Sequence, residues 1–335
     1  MAAAVAEAQR ADGRQPFGEL LVPDEVEEQF ELCGESTPYL RSRARREERM
    51  AMPGKGAELL SDGRRLVVGQ FLMSAISQIW TGAGRRACLQ KVWFDSMQMC
   101  DILASLGLDF GGGASCNAAA VLRILWKAED GTHTLPSDSL STLTEVLRRH
   151  GVAVQAATPE DIDAAESRIL SALGWQIWSP SLHSWLAAFF SRLRVLVKQH
   201  LTEQEESEFG AVLTQLWQQS YTCGTALVMH VASLGPLAPR SMATGLLGLG
   251  CVRAGMLPLH GVRPDRFGSA EWEQVYAGAM GPAPSFRADP HTARNTQIFQ
   301  RATDSSMDAI RDACGRVAEA VRDVSLAGSG QPVTV

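Results

Sequence analysis

The sequence predicts an all-α protein: two consecutive five-helix domains, preceded by one more helix and an acidic arm. Three observations predict it. Apolar residues recur at three- and four-residue steps in segment after segment, the spacing that lines one face of a helix. No segment alternates apolar and polar residues convincingly, as a half-buried strand does. Helix start and stop signals stand where the periodic segments begin and end.

The stretch TPEDIDAAESRILSALGWQIWSPSLHSW, residues 158–185, carries all the signals at once. Thr158 caps, Pro159 takes the first helical position, and Glu160, Asp161 and Asp163 place negative charge where the helix dipole favours it. Ile162, Ala165, Ile169, Leu170 and Leu173 draw one apolar face, and Gly174 ends it. Glu166 lies beside that face, four residues after Ile162 and four before Leu170, and a carboxylate so placed needs a partner. Ser179, Pro180 and Ser181 form the joint to the second domain.

Composition bounds the rest. A chain of 335 residues with 45% hydrophobic residues buries one large core or two ordinary ones, and two domains are expected. The net charge of −6 offers no basic surface, so nucleic acid is not an expected partner. No apolar run approaches the roughly 18 residues of a membrane span, and MAAAVAEAQRADGR is broken by Glu7 and Arg10, so a soluble intracellular protein is expected. The seven cysteines are scattered, with no CxxC pair, and read as reduced thiols.

In chain order, residues 1–35 hold Glu19, Asp24, Glu25, Glu27, Glu28, Glu31 and Glu35 with few apolar residues, which predicts a disordered acidic arm dispensable for folding. Residues 36–60 are read as an N-terminal helix and linker, with Arg41, Arg43, Arg45, Arg46 and Arg49 on a solvated face. Residues 61–179 make the first domain. Its helices run from Ser61 or Asp62 to Trp80, from Arg86 to Leu106, from Cys116 to Trp126, from Ser139 to His150, and from Thr158 to Gly174. The second is stopped by Gly107 and the flexible Gly111, Gly112 and Gly113, and Lys127 stands at the exit of the third, where the helix dipole favours a cation. Residues 180–325 make the second domain. One helix carries Trp185 to Leu196, a long one carries Phe209 to Val231, and a third opens at Pro239. The third has the small residues Ala243, Gly250, Cys251 and Ala254 on a face that lets neighbours approach closely. Two more run near Ser269–Met280 and Asp304–Val324, and 326–335 is read as a disordered tail.

These words in this order resemble a cyclin with two cyclin boxes, over roughly residues 36–325. GRRLVVGQFL (63–72) is similar to the family's MRAILVDWL, WFDSM (93–97) to YIDRF, and VLRILWKAED (121–130) to LLASKFEE. AAESRILSALGWQIWSPSLHSWL (164–186) is similar to the run MExxILxxLxWxLxxPTPxxFL and is the most specific match. In the second box, PLAPRSMATGLLGLGCV resembles YPPSxLAAAALxLA.

The resemblance implies a regulatory subunit, not itself an enzyme, that binds and activates a cyclin-dependent Ser/Thr kinase and acts in nucleus and cytoplasm. By the same resemblance, Lys127 and Glu166 hydrogen-bond the kinase backbone beside its mobile C-helix. Arg64, Val68 and Phe71 match the substrate-docking groove, and Arg65 with Asp95 matches a buried arginine–aspartate bond. The chain departs from the pattern with Arg64 for methionine, Phe71 for tryptophan, Ser96 for arginine, and extra residues between Asp95 and Lys127. It also lengthens the connection from Lys127 to Glu166. These departures leave the subtype open, and they leave open a cyclin-box scaffold or adaptor that activates no kinase, as well as an internal Lys127–Glu166 ion pair. ELCGE places Cys33 and Glu35 as in the LxCxE motif, but Glu31 stands where the leucine belongs.

Motifs for catalysis are wanting. GKG at 54–56 lacks the spacing of a phosphate loop, GGG at 111–113 that of a dinucleotide loop, no histidine pair has ligand spacing, and no GxSxG occurs. No cofactor or metal is expected. Thr37, Thr158 and Ser179 each precede a proline and are candidate kinase sites, Thr37 foremost because the other two also serve as cap and joint.

Overall fold

The computed structural model describes residues 23–50, 62–79, 86–111, 113–129, 139–152, 158–177, 180–200, 202–230, 238–257, 270–282 and 292–328. Among these the chain is helical throughout, without strands. The helices are α1 (Pro23–Leu32), α2 (Thr37–Met50), α3 (Asp62–Ile79), α4 (Arg86–Ser105), α5 (Cys116–Glu129), α6 (Ser139–Arg149), α7 (Pro159–Ala172), α8 (Leu182–His200), α9 (Glu203–His230), α10 (Pro239–Arg253), α11 (Ala270–Met280), α12 (Thr292–Thr303) and α13 (Met307–Gly328). The described residues gather into two compact units, one drawn from those within 45–184 and 227–238, the other from those within 1–44, 185–226 and 239–335.

In the first unit the five expected helices, α3 to α7, begin and end within a few residues of the sequence signals. Helix α5 is central, packed on α3, α4, α6 and α7, and Ala118 to Leu122 are fully buried along it. Helix α7 starts on a capping box: Thr158 Oγ1 accepts from Asp161 N at 3.2 Å, and Asp161 Oδ2 accepts from Thr158 N at 3.2 Å. It ends with Gly174 and Trp175 both at positive φ, and Trp175 N donates to Leu170 O at 2.9 Å. Gly113 is fixed by space as well as by its φ of +114°, since a Cβ there would lie 2.7 Å from the Cβ of Val67.

Arg65 is 1% exposed and does form a buried bond to an aspartate, but not to Asp95. Its Nη1 pairs with Asp101, and its Nε donates to Val228 O at 2.9 Å. Asp95 instead accepts from Lys91, one turn earlier on α4, at 3.0 Å. Six residues advance a helix by about 240° past whole turns, so Asp95 and Asp101 face different ways and only Asp101 reaches Arg65. Burial raises the pKa of Asp101 and the Arg65 charge opposes the rise.

The second unit is centred on α10, where Met242 to Cys251 are all buried. Its glycines set how near the neighbours come. A Cβ on Gly245 would collide with the Ala313 carbonyl oxygen of α13, one on Gly248 would stand 2.5 Å from Cys314 Sγ, and one on Gly250 would stand 2.6 Å from Leu216 Cδ2 of α9.

Four expectations need correction here. Among the described residues, the region read as the second domain holds six helices where five are expected, the sixth being α12: Ile298, Phe299 and Ala302 are buried, but between polar neighbours they make too short a stripe to register as periodic. The arm was expected to be disordered through residue 35, yet α1 occupies Pro23–Leu32 and Phe30 is fully buried. Residues 1–22 lie outside the described chain. Helix α13 runs to Gly328, into the stretch read as tail. On α2, Leu40 and Ala44 are buried, and Arg43 is not solvated: it pairs with Glu35 at 3.2 Å and its guanidinium lies 4.4 Å from the Tyr39 ring centre.

What orders both α1 and α12 is a set of arginines. The last turn of a helix leaves its carbonyls without intrahelical partners, and at the end of α12 guanidiniums take them. Arg192 of α8 donates through Nε to Ala302 O at 3.0 Å and through Nη2 to Arg301 O at 2.9 Å. Arg240 of α10 donates to Thr303 O at 3.1 Å and Asp304 O at 2.8 Å, and Arg41 of α2 holds the Asp304 carboxylate with two bonds of 3.1 Å. Arg192 also reaches the N-terminal segment, donating to Glu35 O at 2.7 Å and Thr37 Oγ1 at 3.1 Å while lying 3.7 Å over the Phe30 ring. Burial pushes the Arg192 guanidinium down to about 10, against the charges of Glu27 and Asp304.

Arg192→Ala is therefore expected to cost about 3 kcal/mol or more in urea denaturation, because each stranded buried acceptor costs roughly 1–3 kcal/mol. Arg192→Lys should recover only a minor part, since one ammonium cannot span acceptors on both segments. Deleting residues 1–35 should also destabilise the chain, because Phe30 then leaves the core. A deletion that left the unfolding midpoint unchanged would contradict this account of α1.

Candidate functional site: an ion-pair cluster on α5 and α7

Helices α5 and α7 pack against each other, and Ala118, Val121 and Leu122 of the one and Ile162, Ala165 and Ile169 of the other are fully buried. Positions one step off these stripes stand at the rim of the contact. On α5 they are Arg123 and Lys127, four residues apart, and on α7 they are Asp163 and Glu166, three apart, so each pair lies on one helical face. Lys127 Nζ donates to Glu166 Oε1 at 2.5 Å, Arg123 Nη1 stands 3.4 Å from Glu166 Oε2, and Arg123 also pairs with Asp163.

Two cations and two carboxylates thus alternate in one network. The exposure is uneven: the side chains of Lys127 and Asp163 are 45% and 57% exposed, those of Glu166 and Arg123 14% and 15%. Glu166 Oε2 is buried and accepts no hydrogen bond, though it faces the Arg123 charge. Lys127 has three donors and spends one on Glu166. The outer layer of the cluster is Lys127 and Asp163, and the Lys127 ammonium has hydrogen-bonding capacity left over, while Glu166 and Arg123 form the inner layer at the helix contact.

Lys127 and Glu166, singled out in the sequence, are thus brought together from positions 39 apart. The remaining expected site is not formed as read. Arg64 is exposed, but Val68 and Phe71 are 0% exposed, and Phe71 packs edge-on to the His150 ring with centres 5.8 Å apart. These two positions face the core of their unit and present no groove. Sequence reading passed over Arg123 and Asp163, although each stands about one turn before its neighbour; the role of Asp163 as a first-turn helix charge masked its second role. Among the described residues no group of three His, Cys, Asp or Glu side chains is placed to hold a metal, and no helix is long and apolar enough to cross a membrane.

No protein-family model matches the chain, and no curated protein matches it.

The uneven exposure separates the members of the pair in the free protein. Lys127→Ala should change unfolding free energy by less than about 1 kcal/mol, as for other exposed ion pairs. Glu166→Ala should cost more, on the order of 1–2 kcal/mol, because Arg123 then loses an inner partner. A loss above about 2 kcal/mol for Lys127→Ala in thermal or urea unfolding would make the pair an internal strut.

Proposed function

We propose that this chain is a cyclin-like regulatory subunit that binds and activates a cyclin-dependent Ser/Thr protein kinase. The observation that carries the reading is the Lys127–Glu166 pair: the two residues that the cyclin resemblance assigns to kinase contact lie 2.5 Å apart, at the rim of a packed helix pair, with Lys127 outermost. The five helices of the resembling stretch 61–179 also belong to one compact unit, which supplies a rigid mount.

The chemistry follows from the geometry. Lys127 donates its two unused N–H groups to backbone carbonyls of the kinase beside its C-helix. Glu166, oriented by Arg123 and Lys127, accepts from backbone N–H groups as the partner's approach reorders the rim. Charge-assisted bonds of this kind strengthen when the contact closes and water leaves. Binding in turn holds the mobile kinase helix in its active position. Docking of substrates through α3 forms no part of the proposal, because Val68 and Phe71 are buried.

The test is affinity capture of a cyclin-dependent kinase by the full chain, with Lys127→Ala and Glu166→Ala beside it. Truncating one charged partner in a desolvated interface costs on the order of 2–5 kcal/mol, so affinity should drop roughly thirty-fold to several-thousand-fold and activation with it. Undiminished kinase binding by both variants would refute the interface. Failure of every such kinase to bind the unmodified chain would leave the scaffold reading in its place.

A further inference from the structure

The hydrogen bonds of Arg192 among the described residues all go to uncharged acceptors: the carbonyls of Glu35, Arg301 and Ala302 and the hydroxyl of Thr37. A guanidinium 1% exposed is thus satisfied in hydrogen bonds but has no anion directly on it. The charges of Glu27, Asp304 and Glu35 act on it from nearby, but each of these carboxylates bonds another group. Glu35 is paired with Arg43, Asp304 with Arg41, and Glu27 accepts from Thr37 N. Of the four acceptors, only the Thr37 hydroxyl can itself be turned into an anion, and Thr37 is followed by proline.

We propose that Thr37 is a phosphorylation site for a proline-directed Ser/Thr kinase acting in trans, and that the phosphate locks the N-terminal segment onto Arg192. The γ-phosphorus of ATP forms a bond to Thr37 Oγ1 and breaks its bond to the bridging oxygen, ADP leaves, and the hydroxyl proton passes to the kinase's base. Thr37 is half-buried at the first turn of α2, while Pro38 and Tyr39 are exposed, so fraying of that turn presents the Thr-Pro pair. Re-formed, the turn places up to two negative charges within reach of Arg192, whose Nη2 already lies 3.1 Å from Oγ1. That an anion is accommodated here is shown by the Glu27 carboxylate at Thr37 N, which the phosphate displaces. The inference stands apart from the kinase-binding reading, because Lys127 and Glu166 take no part in it.

Two measurements on the full chain test it. A proline-directed kinase, chosen because it phosphorylates a peptide of residues 30–44, is given the native chain and ATP, and the product is mapped by mass spectrometry. Labelling at Thr37, lost in Thr37→Val, is expected. Separately, the chain carrying phosphothreonine placed at position 37 during translation is melted beside the unmodified chain. One to three new charge-assisted bonds should raise the melting temperature by about 3 °C or more, and the rise should shrink in Arg192→Lys. The proposal is overturned if no such kinase accepts the peptide, if the native chain goes unlabelled at Thr37, or if the phosphothreonine chain melts at an unchanged or lower temperature.

Discussion

A guanidinium taken out of water must find acceptors for most of its N–H groups, and a chain that buries one is constrained wherever those acceptors lie. Both units bury one. In the first, Arg65 holds Asp101 and the Val228 carbonyl, joining α3 to α4 and to residues far along the chain. In the second, Arg192 holds the last carbonyls of α12 and the segment between α1 and α2. Apolar packing supplies the bulk of the stabilisation in each core, yet any arrangement that closes the apolar faces without seating the arginine leaves a buried cation unsatisfied. The arginine so selects one arrangement among several that would bury similar area.

This explains which parts of the fold were legible in the sequence. Helices that carry their own start and stop were read nearly to the residue. Thr158, Pro159 and Asp161 mark α7 before any tertiary contact is considered, and its capping box forms as the spacing requires. On α10 the small face was read through Gly250, which does bring Leu216 close, whereas the closer approaches at Gly245 and Gly248 were not read. What failed were the elements stabilised from a distance. Helix α12 has three buried apolar residues and owes its C-terminal end to Arg192 and Arg240, whose acceptors there lie 110 and 63 positions further along the chain. Helix α1 is anchored by Phe30 under the same Arg192, an anchor hidden in a stretch whose composition is acidic. The choice of Asp101 over Asp95 likewise turns on which face of α4 meets α3, and local spacing does not encode that.

The candidate site divides the same way. The stripe logic that put Glu166 beside an apolar face demanded a partner for it, and the structure gives it two, Lys127 and Arg123. Lys127 was marked by its place at the exit of α5 and by the cyclin resemblance; Arg123 lies one turn away from it and was not singled out. The groove positions Val68 and Phe71 were carried over from that resemblance alone, without an exposure argument, and they proved to be core. Residues supported by both chemistry and resemblance thus came together, and those supported by resemblance alone did not form the expected surface.

A kinase seated on the α5–α7 rim would cover a small and defined part of the chain, and hydrogen–deuterium exchange of the free and kinase-bound protein observes that part directly. The account predicts slowed exchange in the complex at the C-terminal turns of α5, around residues 123–129, and along α7, around 162–170. Unchanged exchange there, with protection gained on other helices or nowhere, would contradict it.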